Sequence, residues 1–318
     1  MLKYTTLRIL KSLPVVIISA FVVFSIMLLV PGDPALMRAG PDANPDEVAA
    51  VRQEMGLDRP FVEQFGRWGW LAVRGDFGKS FVSRGVPVSE LIGRRLPATI
   101  QLATFAVLLA AAIGILSGVT AAIRARSRTD WSISIAAAIT IGVPDFWLGT
   151  LGILAFAVWL GVLPPGGYAS LIDDPVQALH YLILPVIALA ARPAAVLSRF
   201  TRAAVLDVAR DEMVWTARAK GIPEWQVIVR HIVPNALIPI LTVLAVQFGQ
   251  MLSAAVVVET VFAWPGLGSL LVGSILGRDY SVVQAVMLLL VVAFIAINLI
   301  ADLLYARLDP RIRAGFRK

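Results

Sequence analysis

The chain has 318 residues, 58% of them hydrophobic and only 15% charged, with a net charge of +7 and a mean hydropathy of +0.81. Soluble domains run nearer about 45–50% apolar and about 25% charged, so a disordered chain, a fibrous repeat and an ordinary soluble enzyme are excluded and a membrane protein is indicated. The absence of Cys removes disulfides, thiolate zinc sites and cysteine nucleophiles, and His180 and His231 are assigned no metal.

A helix needs about 20 apolar residues to cross the hydrocarbon. Six stretches qualify: 13–30, 99–123, 131–163, 179–200, 236–258 and 282–305. The first is preceded by Lys3, Arg8 and Lys11, as in a signal peptide. No small-x-small cleavage pattern follows Val30, so it reads as an uncleaved anchor. The third is too long for a straight crossing, at roughly 50 Å for 33 residues. It must tilt, bend or protrude, and Pro144 can break its hydrogen-bond ladder.

Six spans put both termini on one side. The terminal side and its short loops hold eighteen Lys and Arg, whereas the opposite short loops hold only Arg278. The positive-inside rule makes the richer side cytoplasmic. The long segment 31–96 holds nine basic and nine acidic residues, as a small folded cap would, so the basic charge reflects topology and no nucleic-acid partner is implied. The expected organisation is 1–30 as N-terminus and first span, 31–96 as an outer insertion, 97–306 as a five-helix core, and 307–318 as a cytoplasmic tail.

Within the insertion, Asn44 with Asp46 and Glu47 starts a predicted short helix over 45–55. A second, over 61–73, carries Phe61, Phe65 and Trp68 near helical spacing and is expected on the membrane surface. Gly78-Lys79-Ser80 imitates a nucleotide P-loop, but Val73 stands where that motif needs Gly. Segment 161–180 is a Pro- and Gly-rich outer loop. Segment 259–281, with Phe262 and Trp264-Pro265-Gly266, is expected to be re-entrant or packed on the surface.

Segment 202–234 is the most informative. Its first half is rich in helix formers, and Gly221 stops that helix in the manner of a C′ glycine. Ile222-Pro223-Glu224 opens a second helix, which Pro234 is expected to bound. This helix, Gly turn, helix unit projects into the cytoplasm and suits docking into a groove of another protein. The alternative is a solvated connector.

Here the chain resembles a known family. Thr216-Ala217-Arg218-Ala219-Lys220-Gly221, followed by Trp225, Arg230, Pro234 and Asn235, is similar to the coupling loop of ABC-importer permeases. The family pattern is Glu-Ala-Ala, three residues, Gly, nine residues, Ile, one residue, Leu-Pro. Ala217, Gly221 and Pro234 match it; Trp215, Thr216, His231 and Val233 depart from it. The Thr-Ala-Arg-Ala-Lys-Gly run resembles the branch that imports dipeptides, oligopeptides, nickel and glutathione. Val30-Pro31-Gly32-Asp33-Pro34, Gly56-Leu57-Asp58-Arg59-Pro60, Gly75-Asp76-Phe77-Gly78, Arg95-Leu96-Pro97-Ala98-Thr99, Phe262-Ala263-Trp264-Pro265-Gly266-Leu267-Gly268 and Leu308-Asp309-Pro310-Arg311 match the same branch in order.

The resemblance implies an all-α membrane protein of six transmembrane helices with the type I importer permease fold and an outer insertion between the first two. It implies a multi-pass chain in the cytoplasmic membrane of a prokaryote, the first of two permease subunits of a peptide importer. Its implied partners are a second homologous permease, two cytoplasmic ATPase domains, an extracytoplasmic substrate-binding protein and the lipid bilayer. ATP and Mg would sit on the ATPases, with no cofactor on this chain and no covalent step performed by it. Nickel or glutathione is the alternative cargo.

The residues carried over for ATPase coupling are Thr216, Ala217, Arg218, Ala219, Lys220, Gly221, Trp225, Arg230 and Pro234. Arg218, Lys220 and Arg230 either meet acidic residues of the ATPase or sit near lipid headgroups. Asp145, beside Trp147 in the long third segment, is a functional candidate because ionisable groups at membrane depth are costly. It either faces the pathway or pairs with Arg192. Gln247 and Gln250 either line the cavity or link helices. Glu259 is either an outer gate or binding-protein contact, or an interfacial carboxylate. Asp302 and Asn298 pack against a neighbouring helix. A secondary transporter, which often shows internal repeats and broken helices, would need no docking segment. An intramembrane enzyme would need a catalytic constellation that the spans lack.

Overall fold

The structure, a computed structural model, describes residues 2–29, 33–40, 43–83 and 85–308. Val30-Pro31-Gly32 and the ending Asp309-Pro310-Arg311, with all of the tail beyond 308, lie outside the described residues. Thirteen α-helices follow one another among the described residues: α1 (Leu2–Leu29), α2 (Pro34–Ala39), α3 (Pro45–Met55), α4 (Phe61–Val73), α5 (Val88–Ile123), α6 (Arg128–Gly142), α7 (Asp145–Gly152), α8 (Pro175–Val208), α9 (Glu212–Ala219), α10 (Glu224–Val227), α11 (Val233–Val261), α12 (Leu267–Leu276) and α13 (Tyr280–Leu308). π-helical turns extend α7 over Ile153–Trp159 and join α10 to α11 over Ile228–Ile232.

Five helices are long and apolar enough to cross a membrane, and there are six if the α6–α7 pair, bent by 102° at its break, is counted as one span. The bend falls at Val143-Pro144, where the overlong third stretch was expected to give. Pro144 is extended and starts α7, because it cannot donate to the ladder of α6.

Other boundaries move. α5 begins at Val88, eleven residues before the predicted start, and runs through Pro97. Its first turns are held by tertiary packing: Val88 and Ile92 are buried against Leu267, Leu271, Val282 and Val286. Pro185, Pro193 and Pro239 are likewise absorbed inside α8 and α11. The helices over 45–55 and 61–73 lie where predicted. Asn44 and Glu47 exchange reciprocal capping bonds of 2.9 and 3.0 Å. α4 packs Phe61, Phe65 and Trp68 against α1: Phe61 and Phe65 stand edge-on to Phe21, and Phe61 and Trp68 are tilted against Phe24.

The core is centred on α5 and α8, the most extensive helix pair. Ala106, Ala110, Gly114 and Gly118 recur every four residues on α5 and let α8 approach closely. A Cβ on Gly114 would sit 2.9 Å from Ala194 O, and one on Gly118 would strike Thr201 and the Ser198 carbonyl. Ser117 Oγ donates to Ser198 Oγ at 2.8 Å across this seam. The end of α11 and the corner before α12 complete the core, with Phe262 and Trp264 almost fully buried, as expected of a packed loop.

Asp302 on α13 pairs with Arg8 on α1 at 2.7 Å, in line with its expected packing against a neighbouring helix.

Candidate functional site: the 209–232 hairpin and the bundle polar groups

α8 continues past the apolar stretch to Val208. The chain turns at Ala209-Arg210-Asp211 and starts α9, so the single helix expected before Gly221 is two. α9 ends as predicted. Gly221 has φ +73°, its N–H donates to Arg218 O at 2.9 Å, and Ile222 N–H donates to Ala217 O at 3.3 Å. This is a Schellman closure, with Ile222 and Ala217 both in the apolar cluster beneath. Pro223 then opens α10.

Pro234 does not bound that second helix. It lies in the first turn of α11, and the π-turn before it leads into the span without a break. Proline tolerates a first helical turn because its missing N–H would be unpaired there anyway.

The hairpin is anchored on one face and open on the other. Val214, Ala217, Val227 and Ile232 are buried against Leu197 and Val205 of α8, Ala122 of α5 and Ile240 of α11. Thr216, Ala219, Lys220, Gly221, Trp225 and Arg230 are exposed, and so are Met213, Trp215 and Val229. Trp215 and Trp225 are 66% and 62% exposed, an unusual state for indoles. In sequence Trp215 is only a departure from the family pattern; its alternation with buried Val214 is visible only once the anchored face is known.

Arg218 is not a free cation. Its Nη2 and Nε donate to Glu224 at 2.6 and 3.1 Å, clamping α9 to α10. That bond raises the Arg218 pKa above its ordinary value. Lys220 and Arg230 carry no such clamp. A further tie, not foreseen, holds the base of the hairpin. Asp130 at the start of α6 is buried and accepts from Arg202 Nε and Nη2 of α8 at 2.6 and 2.8 Å, and from Arg126 N at 2.9 Å.

The five bundle residues do not converge on one point. Asp145 is half-buried at the start of α7, and its Oδ1 has no hydrogen-bond partner. It forms no ion pair with Arg192, whose pull on it acts only across space. Trp147 is half exposed. Gln247 is buried while Gln250 is exposed, so the two face different surroundings on α11.

Glu259 is 0% exposed, which corrects both the binding-protein contact and the interfacial carboxylate. Its Oε1 accepts from Thr99 Oγ1 at 2.7 Å, and its Oε2 accepts from Gly268 N at 2.6 Å and Ser269 N at 3.1 Å. A carboxylate at the start of α12 meets unpaired N–H groups and the positive end of the helix. The Thr99 oxygen in turn accepts from Leu267 N at 2.7 Å, and Trp264 Nε1 donates to Ala98 O at 2.9 Å. Gly266 and Gly268 leave room for this carboxylate; a Cβ on either would meet it.

A family model described as the binding-protein-dependent transport system inner membrane component matches residues 91–314, and the corresponding N-terminal model matches residues 1–103. A Brucella abortus (strain 2308) protein named as a peptide transport system permease is 42% identical over 306 residues, covering 96% of this chain and 97% of its own. The glutathione transport system permease protein GsiC of Escherichia coli (strain K12) is 44% identical over 314 residues, covering 98% and 99%. Among solved structures, an inward-facing MetNI methionine ABC transporter aligns with a TM-score of 0.56 at 19% identity, covering 69% of this chain and 96% of that one. An amino acid ABC transporter aligns at 0.52 with 21% identity, covering 69% and 94%. At these identities the structures speak to the fold alone, that of a type I ABC importer permease.

Proposed function

Because this chain belongs to the family of binding-protein-dependent transport system inner membrane components, the permeases of ABC importers, we propose that it forms half of a peptide pathway and docks its ATPase through the 209–232 hairpin. It is a multi-pass inner-membrane transport subunit and not an enzyme. A second homologous permease supplies the other half of the pathway. Two cytoplasmic ATPase domains hold ATP and Mg, and an external binding protein delivers cargo. The eighteen-to-one distribution of basic residues supports a cytoplasmic hairpin and cytoplasmic termini.

The observation that carries the docking role is the two-sided hairpin. Its buried face is fused to α5, α8 and α11, so a push on the hairpin moves three spans together. Its exposed residues include Trp215 and Trp225, the aromatic side chains enriched among the anchors of protein interfaces. Asp145, Trp147, Gln247 and Gln250 are the polar and aromatic groups available to the pathway. Glu259 holds the corner at the far end of α11 and acts as part of the gate scaffold.

The cargo reading is a short peptide, in keeping with relatives named for peptide and glutathione transport. Glutathione is the second reading, favoured by 44% identity along 98% of the chain.

The test is mild-detergent purification of this chain from its native membrane, with mass spectrometry of what accompanies it. A second permease, ATPase subunits and an external binding protein are expected. Trp215→Ala with Trp225→Ala should keep the second permease and lose the ATPase. Wild-type chain that purifies without any ATPase in several detergents would overturn the docking role.

A further inference from the structure

At the end of the bundle opposite the hairpin lies a cavity of about 390 Å3, within the size range of small-molecule sites. Three separate pieces of chain wall it. The insertion gives Ser80 and Ser83, the first turns of α5 give Arg95, and the corner from α11 to α13 gives Trp264, Ser269 and Asp279.

Its two ionic groups among the described residues are both incompletely satisfied. Asp279 is 1% exposed. Its Oδ2 accepts from Ser80 Oγ and from Val82 N, the latter at 3.2 Å, but its Oδ1 has no partner among the described residues. Arg95 is half-buried and forms no ion pair or hydrogen bond with any described residue. Its closest electrostatic influence is on Glu259, whose oxygens are already taken by Thr99, Gly268 and Ser269. A buried carboxylate and a partly buried guanidinium that leave each other unpaired across a cavity are costly, unless a guest supplies the opposite charges.

We propose that this cavity is a binding site for a small zwitterion, a short peptide whose ammonium meets Asp279 and whose carboxylate meets Arg95. The guanidinium fork suits a terminal carboxylate. The Ser269 hydroxyl, which donates to Gly266 O at 2.9 Å, keeps its lone pairs for a peptide N–H. The inference rests on the peptide-importer reading and deepens it: the cavity receives cargo at the outer end, between the insertion and the α12 corner.

The experiment uses the assembled complex of this chain with its partner permease and ATPases in nanodiscs, without binding protein. Saturation-transfer NMR follows dialanine, dialanine amide and N-acetyl-dialanine. Dialanine should bind, and each blocked form should bind about tenfold more weakly, the loss of one charge-assisted contact. Arg95→Gln should weaken dialanine by a similar factor and abolish the preference over the amide. Arg95→Lys should keep that preference. Arg95 makes no hydrogen bond to a described residue, so its substitution breaks none; it removes only the pull of Arg95 on Glu259, and Arg95→Lys, which keeps that charge, controls for it. Absence of dialanine binding, or equal binding of all three compounds, would overturn the proposal. Co-purification of the ATPases in the same preparation would leave the importer reading standing in that case.

Discussion

The Thr99 hydroxyl donates to the Glu259 carboxylate at 2.7 Å, joining α5 to the end of α11 across 160 residues of sequence. The same oxygen accepts from Leu267 N, so one threonine closes a chain from helix to helix to the start of α12. Thr99→Val keeps the shape but leaves Leu267 N–H without a partner, and should cost about 1–3 kcal/mol of stability. Glu259→Gln should cost a similar amount, because an amide offers one acceptor oxygen where the carboxylate offers two. The two changes share a network, so the double variant should lose less than the sum. Thermal unfolding in detergent measures all three; strict additivity would contradict the shared chain.

Two glycines of α5 should respond oppositely to alanine. Gly118→Ala forces a Cβ onto the Ser198 carbonyl and Thr201, and should destabilise by about 1–3 kcal/mol as α5 and α8 are pushed apart. Gly93 has open space around its Cβ position, so Gly93→Ala should stabilise by about 0.5–1 kcal/mol through reduced chain entropy. Melting temperatures of the two variants in one detergent check the sign of each.

Gly221 also has open space, yet its φ of +73° makes a side chain costly for a conformational reason. Gly221→Ala should strain the Schellman closure by about 1–2 kcal/mol, and Gly221→Asn by less, since Asn tolerates the left-handed region. The strain falls on the proposed docking element. ATPase retained on purification should therefore rank Gly, then Asn, then Ala, while overall unfolding moves little.

The Asp130–Arg202 pair is buried on the carboxylate side. Arg202→Ala leaves that carboxylate with the Arg126 N–H and a long bond from Ser134 Oγ, and should cost about 3 kcal/mol. Asp130→Ala with Arg202→Ala should recover part of the loss, because no uncompensated charge remains. Limited proteolysis at the base of the hairpin, together with thermal unfolding, distinguishes local loosening from global loss.

Local signals account for what the sequence made legible. Twenty-residue apolar runs located the spans, since lipid leaves backbone groups no partner outside a helix. Asn44 with Glu47, Gly221 and Pro144 marked a cap, a stop and a break, because each acts through its own backbone or its nearest neighbours. Segment 202–234 stood out on those grounds and on family resemblance; the structure splits its first helix at Ala209-Arg210-Asp211 and carries its second past Pro234.

Tertiary structure alone decided the rest. α5 starts at Val88 because Leu267 and Val286 cover its first turns. Arg218 pairs with Glu224 because the Gly221 turn folds α10 back onto α9. Glu259 is interior and not interfacial because Thr99, 160 residues earlier, and the α12 amides enclose it. Periodicity and capping are properties of a few consecutive residues and can be read from them. A hydrogen bond between distant segments depends on how whole helices pack, and no local pattern of residues contains that information.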